Sequence, residues 1–99
     1  MFARLTINQI KIDRIDEFAK FYNENVVPDA KSQKGYCGIY LMADRKTGKG
    51  IAFTLWNSEE DALANEESRY YQEQLVKVRH FMTEPFIREG YEVEIHEKV

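Results

Sequence analysis

The side chains able to do chemistry are few and scattered. His80 and His96 are the only histidines, Cys37 is the only cysteine and Trp56 the only tryptophan. Two histidines this far apart, without paired ligands, do not make a zinc site, so no metal is expected. A lone cysteine forms no intrachain disulfide, and that suits a reduced compartment such as the cytoplasm. Cys37 has apolar neighbours and no adjacent cation, so it reads as a small buried hydrophobe rather than a nucleophile. The acidic run from Glu59 to Glu67 gives no pair of carboxylates a reason to be desolvated, which argues against a glycosidase-like dyad. What remains is a group of aromatics and one amide. Tyr22, Tyr70 and Tyr71, with Asn8 or Trp56, could grip a planar ligand by stacking and hydrogen bonding. The plainer alternative makes them core tyrosines with hydroxyls at the solvent. His80 is the candidate general base. It stands about half a turn round the helix from the stripe Tyr71, Leu75, Val78 and Met82, which a regular helix turns to the solvent side.

The chain that must position these groups has 99 residues, enough for one domain spanning 1–99. Apolar residues make up 43% and aromatics 13%, so a packed core is expected and disorder is not. A net charge of −3 leaves no electrostatic footprint for nucleic acid. The densest basic cluster, Arg45-Lys46-Thr47-Gly48-Lys49, contains a Thr-Gly pair that marks a hairpin tip. No apolar run approaches the roughly 20 residues that span a bilayer. The first ten residues alternate and lack a cationic, apolar leader.

Alternation from Phe2 to Ile10 predicts a strand. Ile15, Phe18, Ala19, Tyr22 and Val26 then share a helical stripe, with Asp13 at its start and Pro28 as its limit. Tyr36 to Met42 and Ile51 to Trp56 are the next two strands, joined by a turn. Ser58 caps a helical region that reaches about Met82, with a second cap near Ser68. Tyr91 to Ile95 is the last strand. The order β-α-β-β-α-β predicts an α+β, ferredoxin-like plan: a four-stranded antiparallel sheet with its helices on one face.

Pairing Ala43 with Ile51 puts Leu41 opposite Phe53, Ile39 opposite Leu55, and Gly38 opposite Trp56. Ala43, Ile51, Leu41, Phe53, Ile39 and Leu55, together with Ala3, Leu5, Ile7, Tyr91, Val93 and Ile95, make one apolar face, which the helices should cover. The opposite face then carries Arg4, Thr6, Asn8, Tyr36, Tyr40, Met42, Thr54 and Trp56, with Arg4 beside Glu92 and Glu94. This face is too aromatic to stay wet, and the cheapest lid is a second copy of the chain, giving a homodimer. A slip of one residue would exchange the two faces.

Two stretches carry a resemblance. Val26 to Met42 (VVPDAKSQKGYCGIYLM) runs from a helix end through a proline to a Gly-Tyr-x-Gly strand entry. Thr54 to Ala64 (TLWNSEEDALA) is a strand-three tryptophan followed by an acidic helix cap. With the β-α-β-β-α-β order, the chain resembles the antibiotic biosynthesis monooxygenase-like domains of the dimeric α/β-barrel superfamily over nearly its whole length. The resemblance implies a homodimer through the sheet face that carries no helices. It also implies a pocket for a small apolar or aromatic ligand, and oxidation of quinol-like or polyketide aromatics by O2 without metal, flavin or other cofactor. On that reading Asn8, Trp56, Tyr71 and His80 are the catalytic candidates, and Tyr22 and Tyr70 the ligand-binding ones. A non-catalytic dimer that binds a small metabolite or serves in stress is the alternative. The haem-degrading branch needs an Asn, a Trp and a His together. Here its Trp falls at Asn65 and its His at Leu75, with Asn8 an approximate counterpart of its Asn, so haem chemistry is not assigned.

Overall fold

Strand alternation and helix caps place most elements where the sequence pattern puts them. In a computed structural model, which describes residues 1–98, the strands are β1 (Phe2–Gln9), β2 (Tyr36–Ala43), β3 (Lys49–Trp56) and β4 (Ile87–Glu92). They form one antiparallel sheet in the order β2-β3-β1-β4, the expected ferredoxin-like arrangement. The helical region after Ser58 divides as expected. The Ser58 hydroxyl accepts from the Asp61 amide to start α3 (Glu59–Glu66), and that of Ser68 accepts from Tyr71 to start α4 (Arg69–Val78).

Two elements depart from the sequence pattern. Pro28 does not end the first helix. After α1 (Ile15–Phe21) the chain widens into a π-turn over Tyr22–Val26, where the Val27 amide reaches back to the Tyr22 carbonyl, and continues as α2 (Val27–Ala30). The wider turn relieves the clash that a proline ring makes with the preceding turn of a regular helix. Pro28 then sits at the start of the short α2, a position that tolerates it. Ala19 falls off the buried stripe and is exposed. The last strand is Ile87–Glu92 and not Tyr91–Ile95, and Ile95 is 86% exposed. Arg88, Glu89 and Gly90 hide this strand from a hydrophobic pattern. Gly90 is needed because a Cβ there would stand 2.7 Å from the Phe2 ring.

The main correction concerns the two faces. Between Tyr36 and Gly38 the β2–β3 ladder slips at a bulge: Tyr36 pairs with Trp56, but Gly38 pairs with Leu55, Ile39 with Thr54 and Leu41 with Ala52. The expected register is therefore off by one, and the helices cover the other side. Phe2, Arg4, Thr54 and Trp56 lie buried beneath them. Leu5, Ile7, Ile51, Phe53, Tyr40 and Met42 are on the open side with Ile87 and Tyr91. Alternation only says that a strand has two faces. The right-handed sense of the crossover between the parallel strands β1 and β2 decides which of them receives the helices. The bulge also turns Cys37 outward. It is exposed, its thiol near Asn57 Oδ1 at 3.0 Å, and is not the buried hydrophobe its neighbours suggest. Arg4 does not meet Glu92 or Glu94, because it faces the helices across from Gly90.

Candidate active site

Between the helices and the covered sheet face lies a cavity of about 70 Å³, room for several waters. β1 contributes Arg4, Thr6 and Asn8, and β3 contributes Ala52, Thr54 and Trp56. These are small, polar or flat side chains. They leave space where leucines would fill it. The first helix adds Phe18, Tyr22 and Val26, so the π-turn carries two wall residues. From α4 come Tyr70, Tyr71, Gln74, Leu75 and Val78. Asn8, Leu75, Val78 and Met82 also line an adjoining outer groove of about 470 Å³ that runs past Thr83, Pro85 and Phe86.

Trp56 is a fully buried wall, 2% exposed. Its indole N–H donates to Thr54 Oγ1 at 3.0 Å, and Tyr36 meets it edge-on at 6.1 Å. Tyr22 packs edge-on against Phe18. Burial, then the Tyr70 phenol, push the Tyr22 hydroxyl well above the ordinary phenol range, and burial pushes Tyr70 up to about 12. Both are protonated donors at neutral pH.

The charged group of the cavity is one the sequence pattern misses. Arg4, 5% exposed, is held between two aromatic rings, its guanidinium carbon 4.5 Å from the Tyr71 ring centre and 5.0 Å from that of Trp56. Nη1 reaches Ala62 O at 3.4 Å and Glu66 Oε1 at 3.8 Å. The same Glu66 oxygen lies 3.4 Å from Arg88 Nε, so one carboxylate serves two guanidiniums. Burial lowers the Arg4 pKa, while Tyr71 and Glu66 act in the opposite sense. Three buried polar atoms have no hydrogen-bond partner among the described residues: Tyr71 Oη, Gln74 Oε1 and Asn65 Oδ1. Arg88 lies over the Tyr71 ring at 5.6 Å without a well-formed bond to its hydroxyl. Left dry, each such atom costs on the order of 1–3 kcal/mol, and two of them belong to residues that line the cavity.

The fold thus gathers Asn8, Tyr22, Trp56, Tyr70 and Tyr71 around one space. It does not bring His80 there. That ring is exposed on the outer surface, tilted against Phe81 with ring centres 4.0 Å apart and edge-on to Phe21. His96 is exposed near the end of the chain.

Solved structures share this architecture. The monooxygenase from the gene ActVA-Orf6 of Streptomyces coelicolor, solved with nanaomycin D, superposes with a TM-score of 0.81 at 10% identity, over 99% of this chain and 91% of that one. A structure named antibiotic biosynthesis monooxygenase gives 0.72 at 14% identity, over 94% and 98%. The chain has the antibiotic biosynthesis monooxygenase fold. A Nitrosomonas europaea protein of unknown function with the same architecture gives 0.77 at 13% identity, over 99% and 93%. In sequence, the chain is 25% identical over 56 residues to the uncharacterized Mycobacterium tuberculosis proteins MT2634 and Rv2557, covering 57% of itself and only 25% of their length. No family model matches the chain. At these identities the likeness establishes the fold, and the chemistry has to be argued from the cavity.

Arg4, Glu66 and Gln74 are the residues sequence reasoning missed. One signal was available for Arg4: an arginine alternating with Thr6 and Asn8 on a strand whose other face carries Ala3, Leu5 and Ile7. If the helices cover the polar side, that arginine must be buried.

Proposed function

We propose that this chain binds a small planar aromatic in the cavity under its helices and oxidises a quinol-like or polyketide aromatic with O2, using no metal or flavin. The observation that carries this reading is a cavity walled by Trp56, Tyr22, Tyr70 and Tyr71 and floored by the buried cation of Arg4. An electron-rich ring passes an electron to O2 once it is an anion. A dry, aromatic site with a fixed positive charge stabilises that anion. Tyr71 and Gln74 offer unpaired polar atoms to orient hydroxyls on the ring. The monooxygenase names of the structural neighbours point the same way.

The working unit in this reading is a homodimer. Tyr40, Met42, Ile87 and Tyr91 are each about half exposed or more on the open sheet face, an apolar patch of the kind that a second copy covers. The catalytic test is oxygen uptake with a panel of dihydroxynaphthalenes and anthraquinols. Uptake above autoxidation, reduced about tenfold by Tyr71→Phe, is the expected result. No uptake across the panel counts against oxidation.

One observation favours a second reading, a non-catalytic binding protein. Burial holds the Tyr22 and Tyr70 hydroxyls protonated, and His80, the candidate base, lies outside the cavity. A native mass spectrum of freshly purified protein showing an unmodified aromatic ligand would favour it.

A further inference from the structure

We infer that Arg4 is a specificity residue that holds a carboxylate borne on the aromatic ligand. This rests on the reading of the cavity as an aromatic-binding site and adds the charge of the ligand to it. Arg4 lies in a wall of the cavity, yet only its Nη1 meets a protein acceptor, the Ala62 carbonyl at a long 3.4 Å and the Glu66 carboxylate at 3.8 Å. Nε and Nη2 donate to no described residue, and together they form the side-on edge of the guanidinium. That edge matches two carboxylate oxygens in a planar fork, where a phenolate offers a single oxygen. The local charge agrees: Arg4 and Arg88 share the single carboxylate of Glu66, leaving one positive charge unmatched.

The rings on either side of Arg4 fix where such a ligand lies. The guanidinium carbon lies 5.0 Å from the Trp56 ring centre and 4.5 Å from that of Tyr71, contacts that limit how its plane can turn, and a carboxylate would meet it along the Nε–Nη2 edge. The ring behind the carboxylate then extends among the aromatic walls. Gln74 Oε1, a buried acceptor without a partner, suits a neighbouring ring hydroxyl as its donor. A purely structural role, pinning the sheet to α3 through Ala62 and Glu66, would leave the Nε and Nη2 edge unused and predicts no preference for a charged ligand.

The test uses the full chain and two probes of one shape, 1-hydroxy-2-naphthoate and 1-hydroxy-2-naphthamide, titrated calorimetrically at pH 7. The carboxylate should bind the wild type at least about tenfold tighter than the amide, as expected for a charge-assisted pair. Arg4→Met should reduce that advantage to within about twofold while amide binding persists, and Arg4→Lys should keep part of it. Equal wild-type affinities overturn the role of Arg4 and leave the aromatic site standing, a result that needs no variant to fold. A carboxylate preference that survives in Arg4→Met also overturns it, assigning the anion to another cation. Failure of both probes and of the uncharged quinols to bind removes the aromatic site and this inference together.

Discussion

The two faces of the sheet are built on opposite principles. The covered face presents an arginine, threonines, an asparagine and a tryptophan, and is buried under helices. The open face presents leucine, isoleucines, phenylalanine, tyrosines and methionine, and among the described residues no element covers it. If hydrophobicity alone chose the covered side, the faces would be exchanged. Instead the crossover sense places the helices, and the side chains beneath them are chosen to leave a cavity. A face that surrounds a ligand must keep space and polar groups, while a face that meets another protein surface can be plainly apolar. The less apolar face is thus the one suited to chemistry, and the more apolar one is suited to assembly.

Several substitutions break or sharpen this contrast. The largest effect belongs to Trp56 on the covered face. Trp56→Ala removes a fully packed wall and the ring against Arg4, and should cost about 3–5 kcal/mol in urea unfolding. An indifferent outcome would mean that this face does not carry the fold. Next is the open face, where Phe53 stands beside Leu5 and Tyr40. In the proposed homodimer, Phe53→Glu would set like charges together across the two-fold seam and should give a monomer in light scattering, with helix content unchanged. A wild-type monomer at micromolar concentration would show that the open face needs no partner.

Glu66→Gln should have a smaller effect. It removes the carboxylate shared by Arg4 and Arg88, at distances longer than an ideal pair, and should cost about 1–3 kcal/mol. The most modest effect is a pH dependence. Tyr70 holds its proton to about 12, and Tyr22 holds its own still more firmly. An unfolded tyrosine loses its proton near pH 10. Above that pH the unfolded chain binds fewer protons than the native one, so this contribution is intact below pH 10 and is lost as pH rises toward 12. Urea midpoints should fall across that window, and Tyr22→Phe should flatten the fall.

Local rules made much of the fold legible. Caps at Ser58 and Ser68, alternation in β1 to β3 and the Thr-Gly turn each act within a few residues, and each stands where the pattern puts it. The fourth strand was obscured because a glycine and two charges interrupt its alternation, and what defines it is pairing with β1, which no local signal reports. Among the site residues, the aromatics were recognisable by type, and Asn8, Tyr22, Trp56, Tyr70 and Tyr71 do come together. Tyr22 and Tyr71 stand on the inward stripes that helical periodicity gives them, while Trp56 and Asn8 lie under the helices and not on the open side, because the crossover sense, which no local pattern reports, selects the covered face.

The sequence by itself determined the number, kind and order of the main elements, and that two unlike sheet faces exist, since these follow from periodicity and capping. Only the tertiary structure decided which face the helices roof and that Arg4 is buried between Trp56 and Tyr71, whereas helical periodicity already turned His80 outward. Those outcomes depend on register and on how the chain crosses over the sheet, and both arise from contacts between residues far apart in sequence.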